Sequence, residues 1–137
     1  MPETTHDVGE LRRFFDVFTQ AGDRLDTDAL TGCFAEAFLA GDASGARPIP
    51  RPAFLQALPG RAKMFAEQGI GPAALDSLTH EELDGHYVLV RTTWTAPRIK
   101  GGDPVRLVSS YLLHRDADGA YRIVAYLNHH GLPLFRA

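Results

Sequence analysis

The run VRLVSSYLLHR from Val105 to Arg115, the tetrad Asp116-Ala117-Asp118-Gly119 and the run AYRIVAYLNHH from Ala120 to His130 decide how this chain folds. Both runs are rich in β-branched and aromatic residues, and a glycine-ended tetrad between them is a hairpin signal. The tetrad reads most simply as a type I turn with Gly119 left-handed. That register pairs Leu113 with Ile123, Tyr111 with Ala125, Ser109 with Leu127 and Leu107 with His129 on one face. Leu112 with Val124, Ser110 with Tyr126, Val108 with Asn128 and Arg106 with His130 occupy the other. The first set is the more apolar and is expected to pack inward; a bulge would reverse the assignment beyond it.

Working back from the hairpin, His86–Ala96 is a third strong strand, with His86, Val88, Val90, Thr92 and Trp94 expected inward and Tyr87, Leu89 and Arg91 outward. Ala74–Glu82 is a fourth strand, Asp84-Gly85 a tight turn, and Pro97–Pro104 a connecting loop. Before Pro72 the apolar period is 3.6, not 2. Asp7–Ala21 carries Leu11, Phe14, Phe15 and Phe18 on one stripe, with Asp7 and Glu10 at capping-pair spacing and Gly22 as the closing residue. Asp26-Thr27-Asp28 offers cap oxygens to a second helix whose buried face is Leu30, Cys33, Phe34, Ala37 and Phe38. Ala40–Pro52 reads as loop. Arg51–Gln68 reads as a third helix with Phe54, Leu55, Leu58, Ala62 and Phe65 inward, kinked or split at Pro59 because proline deletes a backbone donor. Helices first and strands after predict a single α+β domain over residues 1–137, with N-terminal helices packed in the concave face of a strongly curved antiparallel sheet. That arrangement leaves a cone-shaped cavity.

Composition narrows the function classes. The chain has 137 residues, 45% hydrophobic and 23% charged, the proportions of an ordinary globular protein large enough for a core without disulfides or metal. Its 14 basic residues are scattered and the net charge is −3, so no nucleic-acid partner is expected. No apolar run approaches the roughly 18 residues of a membrane span, and the first ten residues are polar and acidic, unlike a secretory signal. A cytoplasmic location is the expectation. Cys33 is the single cysteine, which rules out an internal disulfide and a thiolate cluster, and among apolar neighbours it reads as a small hydrophobe.

On these elements the sequence resembles the nuclear transport factor 2-like superfamily, including its SnoaL-like and ketosteroid-isomerase-like domains. The resemblance covers almost the whole chain and rests on Leu11–Phe18 as first helix, on Asp28-Ala29-Leu30 followed by Cys33-Phe34-Ala35-Glu36, and on the terminal hairpins. It implies a cone-shaped cystatin-like fold with a pocket between sheet and helices, commonly dimeric, but no single activity. Counted from Phe34-Ala35-Glu36, Asp42 falls where isomerase-like members place a proton-shuttling aspartate. Their oxyanion-donating tyrosine is replaced here by Phe14 and Phe15, and the inward strand positions that carry their acid hold Ser109 and Tyr111. The usual keto-steroid chemistry is therefore not expected.

The candidate catalytic residues are Asp42 as general base, Tyr111 as donor to a developing oxyanion, and His129 as orienting partner or acid. Each has a plainer alternative. Gly41-Asp42-Ala43-Ser44 is also an ordinary exposed turn in which Asp caps its own backbone, Tyr111 can simply fill the core, and His129 can sit at the sheet rim. Phe14, Phe18, Phe38, Trp94, Ser109 and Leu127 are the expected ligand-binding residues. No metal is expected, since no His-x-His spacing occurs; His80, His86 and His114 in separate strands make a three-strand site conceivable but nothing supports it, and no cofactor is implied. The outer sheet face keeps Leu112, Val124, Val108, Leu89 and two tyrosines, more apolar surface than a monomer normally exposes, which predicts a homodimer through that face. The expected function is binding of a small, mainly apolar molecule in the cone, with cofactor-independent isomerisation, dehydration or cyclisation if the chain is an enzyme. A non-catalytic ligand-binding module and a protein–protein adaptor are the alternatives.

Overall fold

A computed structural model describes residues 6–130. Helix α1 (Val8–Arg24) and the short α2 (Thr27–Thr31) lead into strands β1 (Phe34–Asp42) and β2 (Gly45–Pro50). Helix α3 (Arg51–Glu67) follows, and then strands β3 (Ala74–Glu82), β4 (Tyr87–Ala96), β5 (Val105–Arg115) and β6 (Tyr121–His130). The strands form one open sheet in the order β2-β1-β6-β5-β4-β3. Every neighbouring pair is antiparallel except β1 and β6, which run parallel, so the expected antiparallel sheet is in fact mixed. Among the described residues no helix is long and apolar enough to cross a membrane.

The helix α1 begins where the sequence places it. Asp7 is its N-cap, accepting from the Gly9 amide at 3.2 Å. It runs past Gly22 and closes at Leu25, whose φ of 52° is left-handed and brings the Asp26 amide to the Ala21 carbonyl at 2.8 Å, a Schellman-type closure without glycine. Leu11 and Phe15 from this helix are fully buried against the sheet.

The expected second helix is the largest departure. Only Thr27–Thr31 is helical, and from Phe34 the chain is strand. Leu30, Phe34 and Phe38 recur every four residues, and four is an even number: the spacing that stacks side chains on a helix also puts them on one face of a strand. Phe34, Phe38 and Ala40 are indeed buried, while Ala37 and Leu39 are exposed. Ala40–Pro52 is likewise not loop. It holds the end of β1, a two-residue connection, and β2, whose Pro48 and Pro50 are tolerated because β2 is an edge strand. Helix α3 is one continuous element through Pro59, neither split nor ended by it. Its first residue, Arg51, docks on the start of β1 by donating to the carbonyls of Phe34 at 3.0 Å and Thr31 at 3.3 Å.

The hairpin of β5 and β6 closes as expected at its turn, with Gly119 at φ 87° and the Gly119 amide on the Asp116 carbonyl at 2.9 Å. Leu113 pairs with Ile123, but one residue further on the strand bulges. Beyond the bulge Tyr111 pairs with Tyr126, Ser110 with Leu127 and Ser109 with Asn128. The expected partners Ala125, Leu127 and His129 are thereby replaced. One extra residue, Val124, rotates the rest of β6 by one side chain, because strand periodicity is two. Tyr126 and Asn128 turn toward the helices; Leu127 and His129 turn to the outer face. On β4 the inward set Val88, Val90, Thr92 and Trp94 is buried as expected, but His86 precedes the strand and is exposed, stacked 6.3 Å from His114.

Candidate functional site

The helices do not fill the concave face. Between them and the sheet lies a cavity of about 230 Å³. Helix α1 supplies Phe18, Thr19 and Asp23, α3 supplies Phe54, Leu58, Arg61 and Phe65, and the sheet supplies Phe34, Trp94, Leu107, Ser109, Tyr111, Tyr126 and Asn128. The walls are mostly aromatic. Phe18 meets Phe34 and Tyr111 at ring separations of 5.9 and 5.8 Å, and Phe15 behind them meets Tyr111 at 5.0 Å and Trp94 at 6.4 Å. The Trp94 indole N–H is satisfied within the sheet by the Thr92 hydroxyl at 2.7 Å, so Trp94 offers the cavity only its ring.

The polar groups concentrate on β5 and β6. Tyr111 and Tyr126 stack nearly parallel, 4.9 Å apart and 8° from coplanar, as their cross-strand pairing allows. Burial pushes the Tyr111 hydroxyl well above the usual tyrosine range, reinforced by the neighbouring Tyr126 and opposed by a hydrogen bond from Ser109 and by the charge of Arg61. Tyr126 faces the same cavity. Asn128 is buried beside it, and at the other side of the cavity burial raises the Asp23 carboxyl above its ordinary value.

Of the residues singled out from the sequence, Tyr111, Ser109, Trp94 and Phe18 line this cavity together. Phe14 and Phe38 do not: Phe14 packs edge-on against Phe15 and Tyr121, and Phe38 against Phe34 and Phe54. Leu127 and His129 lie on the outer face beyond the bulge, where the His129 Nε2 meets the Ser110 hydroxyl at 2.7 Å. Asp42 is outside the cavity lining. It ends β1, and its Oδ1 accepts from the Ser44 amide at 2.8 Å and hydroxyl at 2.5 Å, holding the Ala43-Ser44 turn. A short polar side chain fastening its own turn needs no ligand to explain it. Cys33 is buried, and its thiol is pushed up to about 11 by that burial, which leaves it a weak nucleophile.

Arg61, Asp23, Tyr126 and Asn128 are the cavity residues that sequence reasoning passed over. For Arg61 the signal was present: it stands three residues after Leu58 and four before Phe65, a cation on an apolar helical stripe. Asp23 lies beyond the expected end of α1, and the two β6 residues depend on the bulge, for which the sequence carries no mark. Among the described residues no group of three His, Cys, Asp or Glu side chains is placed to hold a metal ion.

Comparison with known proteins agrees with this architecture. A protein from Nostoc punctiforme, of unknown function and with a cystatin-like fold, superposes with a TM-score of 0.75 at 14% identity, covering 98% of this chain and 100% of its own. An NTF2-like protein with a cystatin-like fold from Novosphingobium aromaticivorans gives 0.71 at 18% identity, covering 90% and 81%. An NTF2-like protein of unknown function from Shewanella oneidensis gives 0.67 at 17% identity, covering 89% and 98%. At such identities the likeness is one of fold. No curated protein matches the sequence. A family model described as NTF2-like protein (DUF6841) matches residues 9–131, nearly the whole domain just described, and the chain belongs to that family.

Proposed function

We propose that the protein binds a small, mainly apolar molecule in its cone. The observation that carries this reading is an aromatic-walled cavity with a few polar groups, Ser109, Tyr111, Tyr126 and Asn128, converging from two adjacent strands. That is the general form of a ligand pocket. Size narrows the ligand. A cavity of about 150 Å³ accepts benzene, so about 230 Å³ has room for one or two rings. The Ser109 and Tyr126 hydroxyls suit a hydroxyl or carbonyl on the ligand.

The test is a thermal-shift titration with 2-naphthol and indole on the wild type and on Leu107→Trp, which fills the cavity from its wall. A bound ligand at a hundred times its dissociation constant stabilises the folded state by about 2.7 kcal/mol, a rise of several degrees in Tm. The wild type should respond and the folded Leu107→Trp variant should not. If neither compound shifts the wild type, the binding reading fails and the adaptor alternative takes its place.

A second reading is favoured by one observation. Asp23 is the carboxyl among the described cavity-lining residues, and although it is surface-exposed, partial desolvation raises it, the direction an acid–base group needs. If the chain is a cofactor-independent isomerase, dehydratase or cyclase, Asp23 is better placed than Asp42 to move the proton.

We also propose that the outer sheet face pairs two copies of the chain. Tyr87, Leu89 and Leu39 are exposed there, and Val108, Leu112, Val124 and Leu127 are half-buried. The expected result is a dimer by sedimentation equilibrium at micromolar concentration, reduced to monomer by Leu89→Glu; a monomeric wild type overturns the proposal.

A further inference from the structure

Among the described residues Arg61 is the one cation that lines the cavity, and no ion pair engages it. Other arginines around the core are engaged: Arg51 with two carbonyls, Arg122 with the Gly32 carbonyl and Asp116, Arg98 with the Asp103 carbonyl. Arg61 is half-buried, its guanidinium 5.2 Å over the Phe65 ring, and among the described residues no carboxylate lies within ion-pair distance of it. Asp23, which lines the same cavity, is shifted by burial alone, with no cation contributing, so the two charges do not neutralise each other. A guanidinium held in an aromatic wall is partly desolvated, and among the described residues no acceptor of opposite charge matches its planar fork of donors.

We infer that the ligand of this cavity is an organic anion of one or two rings, with a carboxylate that docks on Arg61. The inference rests on the binding reading above and names its substrate class. A carboxylate matches the fork with two parallel hydrogen bonds, where a ring hydroxyl or amide can match only part of it. A monoanion is favoured over a phosphate ester because Arg61 is a single cation and Asp23 faces the same space. Arg61 lines the same cavity as the Ser109, Tyr111 and Tyr126 hydroxyls, so one ligand can meet the guanidinium and the hydroxyls together. The ring system then lies along Phe18, Phe34, Phe54 and Trp94.

The experiment is isothermal titration at pH 7 with 2-naphthoate and its neutral isostere 2-naphthamide, on the wild type and on Arg61→Met, which keeps an apolar stem of similar length. The wild type should bind 2-naphthoate at least tenfold more tightly than 2-naphthamide. Arg61→Met should erase that margin, weakening 2-naphthoate tenfold or more and changing 2-naphthamide less than twofold. Naphthamide binding as tightly as naphthoate to the wild type overturns the inference while leaving the pocket intact. So does an equal effect of Arg61→Met on both compounds. Silence of both compounds overturns the binding reading itself. If Arg61→Met fails to fold, the wild-type pair still decides, and Arg61→Lys, with its charge but without its fork, should fall between wild type and no preference.

Discussion

Replacing Phe15 with alanine is expected to lower the free energy of unfolding by about 4 kcal/mol, within the roughly 3–5 kcal/mol found for truncating fully buried phenylalanines. Phe15 is 0% exposed and is the ring on which α1 meets the sheet. It contacts Phe14 at 5.1 Å, Phe18 at 5.9 Å, Tyr111 at 5.0 Å and Trp94 at 6.4 Å, so its removal opens space on four sides at once. Close-packed aromatic neighbours relax only partly, and the residual void adds to the lost transfer energy. Urea denaturation followed by tryptophan fluorescence measures the loss directly, since Trp94 is the sole tryptophan and lines the same cluster. A loss under about 1.5 kcal/mol would mean that α1 is not anchored through this ring.

The order of elements was legible because it depends on period and punctuation, which survive in one sequence. Leu11, Phe15 and Phe18 mark α1, and Gly119 marks the hairpin turn, without reference to anything distant. The conversion of a presumed second helix into β1 was not legible, because Leu30, Phe34 and Phe38 satisfy both periods and the choice between them is made by a partner strand nearly ninety residues away, where Phe34 meets Ile123. Tertiary pairing outweighs local propensity in such a segment. The cavity shows the same division. Tyr111, Ser109 and Trp94 sit on β5 and β4, whose own alternation is unbroken because the extra residues fall on β6 and β3, and they were placed correctly on the concave face. Leu127 was turned outward by the bulge at Val124, His129 is the unpaired residue of a second bulge, and Tyr126 and Asn128 took the inward positions. Asp42 was singled out by distance from a motif; its actual surroundings, a two-residue turn between β1 and β2, are set by a strand pairing that the prolines of β2 conceal.

The buried Tyr111 makes the protein's stability fall in alkali. Burial raises the Tyr111 hydroxyl above its ordinary value of about 10, whereas in the unfolded chain it titrates normally. Between those two values the folded state holds a proton that the unfolded state has released, so raising the pH favours unfolding. Stability is therefore full below pH 10 and declines as the pH rises from 10 through the folded-state value, by about 1.4 kcal/mol per pH unit for each such group. Tyr121 is raised in the same direction, chiefly by burial, and adds to the slope. Tyr111→Phe keeps the ring that stacks on Tyr126 and removes the Tyr111 hydroxyl, leaving Tyr121 as the other raised tyrosine. At pH 8 it should cost about 1 kcal/mol for the lost hydrogen bonding of that hydroxyl. Above pH 10 its stability should decline more gently than that of the wild type, by about 1.4 kcal/mol less per pH unit, so the two curves converge and then cross. Urea midpoints at pH 8, 10 and 11 decide the matter. Parallel curves for wild type and Tyr111→Phe would mean that the Tyr111 hydroxyl is open to water in solution, and that the burial which raises it is not held there.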